Sequence, residues 1–138
     1  LFPDKNVLVI SLGTAITYDI KTSKNIYKGG NISPGMRMRF KALNQFTHKL
    51  PLVEPLSAPT LLGDSTNQAI LNGVINGILF EIEGTISESE KIYKDLTIIL
   101  TGGDTSLFDN KLKKHIFVVQ NLVSIGLNTI LNYNAANR

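Results

Sequence analysis

The stretch VISLGTAITYD, residues 9–19, decides how this chain is read. It sets an apolar run, a Gly-Thr turn and a second apolar run in immediate succession, with hydroxyls at Ser11, Thr14 and Thr17. Val7 to Leu12 is apolar except for Ser11, the pattern of a strand buried on both faces. Ala15 to Ile20 follows across Gly13-Thr14, and KTSKN at 21–25 reads as a hairpin turn. Ile26-Tyr27 begins a third strand that Gly29-Gly30 is expected to halt. Three short strands in series predict an antiparallel meander opening a mixed sheet.

Beyond the meander, Pro34-Gly35 opens MRMRFKALNQFTHKL, residues 36–50. Met36, Phe40, Leu43 and Phe46 or Thr47 recur at helical spacing, which predicts an amphipathic helix stopped by Pro51. PLVEPLSAPTLLG, 51–63, carries three of the five prolines and reads as an extended loop. Ser65 followed by Gln68 has the capping-box pattern, with the Gln68 side chain expected to reach back to the Ser65 backbone. A long helix is expected from Thr66 into the low nineties. Gly73 and Gly77 share one face of it; each glycine costs a helix roughly 1 kcal/mol, so close packing by another backbone is expected to compensate. LTIIL (96–100) and HIFVV (115–119) read as strands, and TGGD (101–104) as a second glycine turn at a strand's carboxyl end. A final helix, LVSIGLNTILNY (122–133), is capped by Asn121, and NAANR should fray. The order βββα–α–β–(short α)–β–α is an α/β arrangement.

Composition narrows the function classes. A chain of 138 residues fits one domain, and 43% hydrophobic with 18% charged residues is ordinary for a globular protein. A net charge of +3 from scattered basic residues, with no helix-turn-helix, does not call for nucleic acid. With no cysteine, disulfides, thiolate metal sites and a cysteine nucleophile are excluded. His48 and His115 lack the spacing of a zinc site. The longest apolar runs are too short for a bilayer and no signal peptide opens the chain, so a cytoplasmic protein with no membrane partner is the expectation. Leu1-Phe2-Pro3 would suit the exit from a preceding helix, which reads as a chain cut from something longer.

The chemical signal lies in the glycine turns. Backbone N–H groups at such turns can cradle phosphate oxygens, and Thr14 and Thr17 can add hydroxyl donors. The plainer alternative is that Gly13 only supplies a positive φ for a hairpin. LTGGD ends a strand where open α/β folds place ligands, although neither a P-loop nor a dinucleotide fingerprint is present. KGGNISPGMRMRF, 28–40, joins glycines, a Pro-Gly pair and two helical arginines into a cup suited to a small anionic or hydroxylated ligand, or else into a loop with solvated arginines.

Taken together, VISLGTAITYD, GGNISPGMRMRFKAL, GDSTNQAILNGV, ILTGGD and LVSIGLNTI stand in the order found in type III pantothenate kinases. The chain resembles the C-terminal half of that family, some of whose members bear the older label Bvg accessory factor, a transcriptional activator. The resemblance implies a ribonuclease-H-like domain over residues 1–138, of the acetate/sugar kinase, Hsp70 and actin superfamily, with the N-terminal half absent. It implies a homodimeric kinase that transfers the γ-phosphoryl group of ATP to the 4′-hydroxyl of pantothenate in coenzyme A biosynthesis, with Mg²⁺ and a monovalent cation, K⁺ or NH₄⁺.

Carried onto this sequence, Gly13, Thr14 and Thr17 match the family's second phosphate motif. Gly29, Gly30, Ile32, Pro34 and Gly35 match its pantothenate-pocket motif, and Thr66 matches a threonine that contacts pantothenate. Gly102, Gly103 and Asp104 match the adenosine motif. The first phosphate loop and the catalytic aspartate of the family have no counterpart here, so no catalytic residue is expected in this chain. Ser11 stands where the family has the aspartate that helps to hold the monovalent cation, and a serine oxygen would hold it weakly. That departure keeps open a second reading, a non-catalytic regulatory relative.

Overall fold

The computed structural model describes residues 2–136. β1 (Val7–Leu12), β2 (Ala15–Lys21) and β3 (Tyr27–Pro34) form the expected antiparallel meander. β4 (Thr97–Thr101) lies parallel to β1 on its other side, and β5 (Phe117–Val118) lies parallel to β4. The strand order is therefore β3-β2-β1-β4-β5, with β1 at the centre.

Two helices cover one face. α1 (Met36–Gln45) and α2 (Thr66–Ile92) pack on the side where Leu8, Ile10, Leu12, Ile16, Tyr18, Ile98 and Leu100 point. In α2, Val74, Ile78, Ile82 and Ile86 recur every four residues and draw one stripe along the helix. The last three are fully buried. By length and composition α2 is apolar enough to cross a membrane, which the short apolar runs alone did not suggest. Its stripe is occupied by this sheet.

Several boundaries differ from the sequence-based expectation, each for a physical reason. β3 runs through Gly29-Gly30 instead of ending there. A Cβ at Gly30 would lie 1.8 Å from the Tyr18 carbonyl oxygen, and Gly29 takes φ +93° beside a register shift at Ile20/Lys21. The pair permits a bulge and a close approach; it does not stop the strand. α1 ends at Gln45, not at Pro51: the Phe46 N–H donates to Ala42 (2.9 Å), and at Thr47 the hydroxyl, not the backbone N–H, donates to the Leu43 carbonyl (2.6 Å). The Ser65 hydroxyl caps α2 by accepting from the Gln68 N–H, but the Gln68 side chain turns to Asn72 instead of closing the box.

Further along, HIFVV contributes only Phe117–Val118 to the sheet, and the short α segment is a pair of 3-10 turns, Thr105–Leu107 and Asp109–Lys111. α3 (Leu122–Ala136) starts directly after Asn121 and includes residues 134–136, which were expected to fray. Residues 137 and 138 of NAANR, and Leu1 of the expected helix exit, lie outside the described residues. The close packing expected at Gly73 and Gly77 is not supplied by this chain. A Cβ at Gly73 would meet nothing within 4 Å, and one at Gly77 only Arg39 Nη1 at 3.9 Å.

These contacts separate glycines the fold requires from those it does not. Gly30→Ala should lower unfolding stability by about 2–4 kcal/mol, since backbone must move to admit the methyl group. Gly84→Ala, on α2 with open space around it, should raise stability by roughly 0.5–1 kcal/mol. Urea denaturation of the two variants measures both; equal effects would show that the Gly30 approach is not tight.

Candidate functional site

The carboxyl ends of β1 and β4 converge with the start of α1. Gly102 follows β4 with φ +101°, and a Cβ there would lie 2.2 Å from the Leu12 carbonyl oxygen. The Asp104 N–H donates to that same oxygen (3.1 Å). Gly35 is equally constrained: its N–H donates to Thr14 (3.0 Å), and a Cβ would lie 2.1 Å from the Gly13 carbonyl oxygen. The two turns and the helix start are thereby drawn together around a cavity of about 670 Å³.

Gly13, Thr14, Gly103 and Asp104 line this cavity, along with Arg37 and Lys41. Gly13 does not adopt a positive φ, so the plain hairpin explanation fails for it. A Cβ at Gly13 would meet only Ala15 O at 3.8 Å, and one at Gly103 nothing within 4 Å. Neither glycine is required by the fold: a side chain would fit at Gly13 and would have open space at Gly103, and both line the cleft. The Gly13 N–H is used, donating to Ala15 (3.1 Å). Those of Thr14 and Gly103 have no acceptor among the described residues.

Arg37 and Lys41 lie one turn apart on α1 and bring two positive charges to the same cavity. Sequence reasoning noted the arginines of MRMRF but not that Arg37 and Lys41 would face the glycine turns. Their four-residue spacing was the available signal. The donor set suits a polyanion approaching bare backbone.

Other expected site residues lie elsewhere. Thr17 pairs with Ser11, Ser11 with Thr101, and Ile32 with Thr17, so these four share one row across the sheet. That row is on the face opposite α1 and α2. Ile32 is 78% exposed there, and Ser11 and Thr17 are half-buried. The hydroxyls of Thr17, Ser11 and Thr101 can offer oxygens to a monovalent cation, but no carboxylate stands in the row. No group of three metal-binding side chains occurs among the described residues. Thr66 lies apart from both, in an apolar groove of about 730 Å³ between α1 and α2 with Leu43, Leu50, Ile70 and Gly73.

The cup at residues 28–40 is built differently from its sequence-based expectation. Arg39 is not solvated: it pairs with Glu81 of α2 (2.5 Å), and its Nε donates to the Pro34 carbonyl (2.7 Å). Glu81 also accepts from Tyr18 (2.7 Å) and from the Ser33 hydroxyl. Desolvation pushes the Glu81 carboxyl up, but the hydrogen bonds from Ser33, Arg39 and Tyr18, with the Arg39 charge, outweigh it and hold it below its ordinary 4.5. Burial, followed by the bond to Glu81, pushes the Tyr18 phenol well above its ordinary range. Sequence reasoning missed Glu81, and likewise Asn72, which is buried and clamps the 51–63 loop through Thr60.

A mixed sheet with β1 central and helices on its face is the α/β architecture of the ribonuclease-H-like, actin and Hsp70 superfamily. A crystal structure of a conserved Campylobacter jejuni protein, assigned to the Baf family of transcriptional activators, superposes with TM-score 0.70 at 25% identity, covering 96% of this chain and 60% of that one. Residues 1–88 match the family model for type III pantothenate kinase, and the chain belongs to that family. The type III pantothenate kinase of Christiangramia forsetii is 53% identical over 133 residues, 96% of this chain and 55% of the relative. That of Cytophaga hutchinsonii is 52% identical over 134 residues, 97% of this chain and 57% of the relative. The chain thus spans little more than half the length of these curated relatives.

A carboxyl depressed on folding contributes stability that is present above its unfolded pKa and lost as pH falls through its folded one. Unfolding free energy should therefore drop as pH falls below the ordinary 4.5 of Glu81, and Glu81→Gln should flatten that limb. Denaturation midpoints from about pH 6 to about pH 3 measure it.

Proposed function

We propose that this chain is the C-terminal domain of an ATP-dependent pantothenate kinase and forms one wall of its nucleotide cleft. The observation that carries the reading is the pair of glycines, Gly13 and Gly103, that the fold does not require and that face Arg37 and Lys41 across a cavity. Phosphate oxygens of ATP would meet the Thr14 and Gly103 N–H groups and the two cations. Asp104 would face the nucleoside end. The corner from Gly29 to Gly35 would form the pantothenate wall, Thr66 would contact pantothenate from the α1–α2 groove, and Gly102 would hold the adenosine turn in shape.

ATP, when bound with Mg²⁺, supplies the transferable phosphoryl group. The residues of this chain hold and orient; phosphoryl transfer depends largely on such positioning and on charge stabilisation. The catalytic base and the rest of the cleft would come from the family's N-terminal half. α3 supports a partner of this kind: none of its side chains is buried, and Val123, Leu127, Ile130 and Leu131 are all more than half exposed. The α1–α2 groove, with its open Gly73, would pack against a second copy, and the whole protein would act in the cytoplasm.

One observation favours a second reading. The row Thr17–Ser11–Thr101 is neutral, so a cation there would lack a full countercharge, as in a relative that keeps the fold for regulation. The full-length protein, assayed for ATP-dependent phosphorylation of pantothenate in K⁺ buffer beside its Ser11→Asp variant, separates the two. We expect turnover in the unaltered protein, and a lower K⁺ requirement in the variant by about tenfold, the effect of roughly 1.4 kcal/mol from a restored charge. Turnover only in the variant would mark Ser11 as disabling; turnover in neither would sink the kinase reading.

A further inference from the structure

We propose that Glu81 is a positioning residue that fixes the β3–α1 corner through Ser33 and Arg39, and so sets affinity for pantothenate rather than for the nucleotide. The assignment of substrate rests on the kinase reading; the positioning itself rests on geometry. Glu81 reaches from the middle of α2 to three donors on three other elements: Tyr18 on β2, Ser33 on β3 and Arg39 on α1. Arg39 in turn donates to the carbonyl of Pro34, the last residue of β3. The Gly35 N–H is tied on its far side to Thr14. Ser33, Pro34 and Gly35 are thus held from both directions.

α1 divides its two arginines between two tasks. Residues two apart on a helix point roughly 200° apart, so Arg37 faces the glycine turns while Arg39 faces Glu81. No hydrogen bond joins the Glu81 cluster to Arg37 or Lys41 among the described residues. Loosening Glu81 should therefore free the corner on its α2 side, while the Gly35–Thr14 bond still holds the start of α1, with Arg37, beside the glycine turns.

The cluster is also a poor device for stability alone. The Arg39 and Glu81 side chains are 21% and 29% exposed, so solvent screens the pair and limits what it adds to stability. The apolar core beneath it, from Tyr18 and Phe40 to Ile78 and Ile82, is already continuous. What the cluster adds is direction: three donors converging on one carboxylate fix where Ser33 and Pro34 sit.

The test uses the full-length protein and the variants Glu81→Ala, Glu81→Gln and Arg39→Met, with two readouts. In steady-state kinetics, Glu81→Ala and Arg39→Met should raise KM for pantothenate roughly tenfold, less than the ~100-fold that a 1 Å misplacement can cost. KM for ATP should stay within about twofold. Glu81→Gln should fall between, because its amide oxygen can still accept from Tyr18 and Ser33. In hydrogen exchange, amides of residues 28–39 should lose about tenfold protection while residues 96–101 keep theirs.

Equal rises in both KM values, or a uniform loss of protection, would overturn the proposal and make Glu81 a global stability residue. If the unaltered protein does not phosphorylate pantothenate, the kinase reading fails separately. The exchange experiment then decides the positioning, with unchanged protection at 28–39 counting against it. Should Glu81→Ala not fold, Ser33→Ala and Tyr18→Phe each remove one donor. A smaller rise in pantothenate KM, or local loosening of 28–39, supports the proposal; neither effect overturns it.

Discussion

Two places where backbone meets backbone govern this domain. Gly102 closes on Leu12, and Gly35 closes on Gly13 and Thr14, each at a distance that excludes any side chain. The first fixes the turn after β4 against the end of β1. The second fixes the start of α1 against the β1–β2 turn. Because both act at the carboxyl edge of the central strand, they bring turns that are about ninety residues apart in sequence to a single cleft. The cavity is what remains between elements held this way, while the glycines that line it, Gly13 and Gly103, are not themselves demanded by either approach.

Charge is distributed around that edge with a clear division. Arg37 and Lys41 face the cavity, whereas Arg39 is neutralised by Glu81 and spends its donors on the corner. A single helix of ten residues thus presents a positively charged side to the cavity and an anchoring side to α2. On the opposite face of the sheet, Ser11, Thr17 and Thr101 make a polar but uncharged row. The domain therefore carries positive charge at the cavity on one side of the edge and only hydroxyl oxygens in the row on the other face.

Much of the fold was legible in the sequence because its strands are short apolar runs ended by glycine or polar turns, and α2 carries an unbroken four-residue stripe. The glycines show where legibility stopped. Gly29-Gly30 looks the same whether it ends a strand or lets one pass close to a neighbour, and only the Tyr18 carbonyl distinguishes the cases. Gly13 looks like a turn glycine until its φ is known. Glu81 was invisible for another reason: its partners lie 63, 48 and 42 residues away in sequence, so no local spacing marks it. The glycine motifs themselves were readable, but the sequence could not show that they divide among a cleft, a groove and an open sheet face.

The strand order has a consequence for how the chain is made. β1 gains one neighbour at once, since β2 follows across two residues, but its other neighbour is β4, at Thr97–Thr101. During synthesis the N–H and C=O groups of its outer edge stay unpaired until the loop and the whole of α2 have emerged. Pairings that close so long a stretch form slowly, and an unpaired strand edge is a template for association between chains. α2 can shelter the face of β1 early, yet it cannot satisfy that edge. The central strand that organises the finished domain is thus its most exposed element on the way there, open to association until β4 arrives.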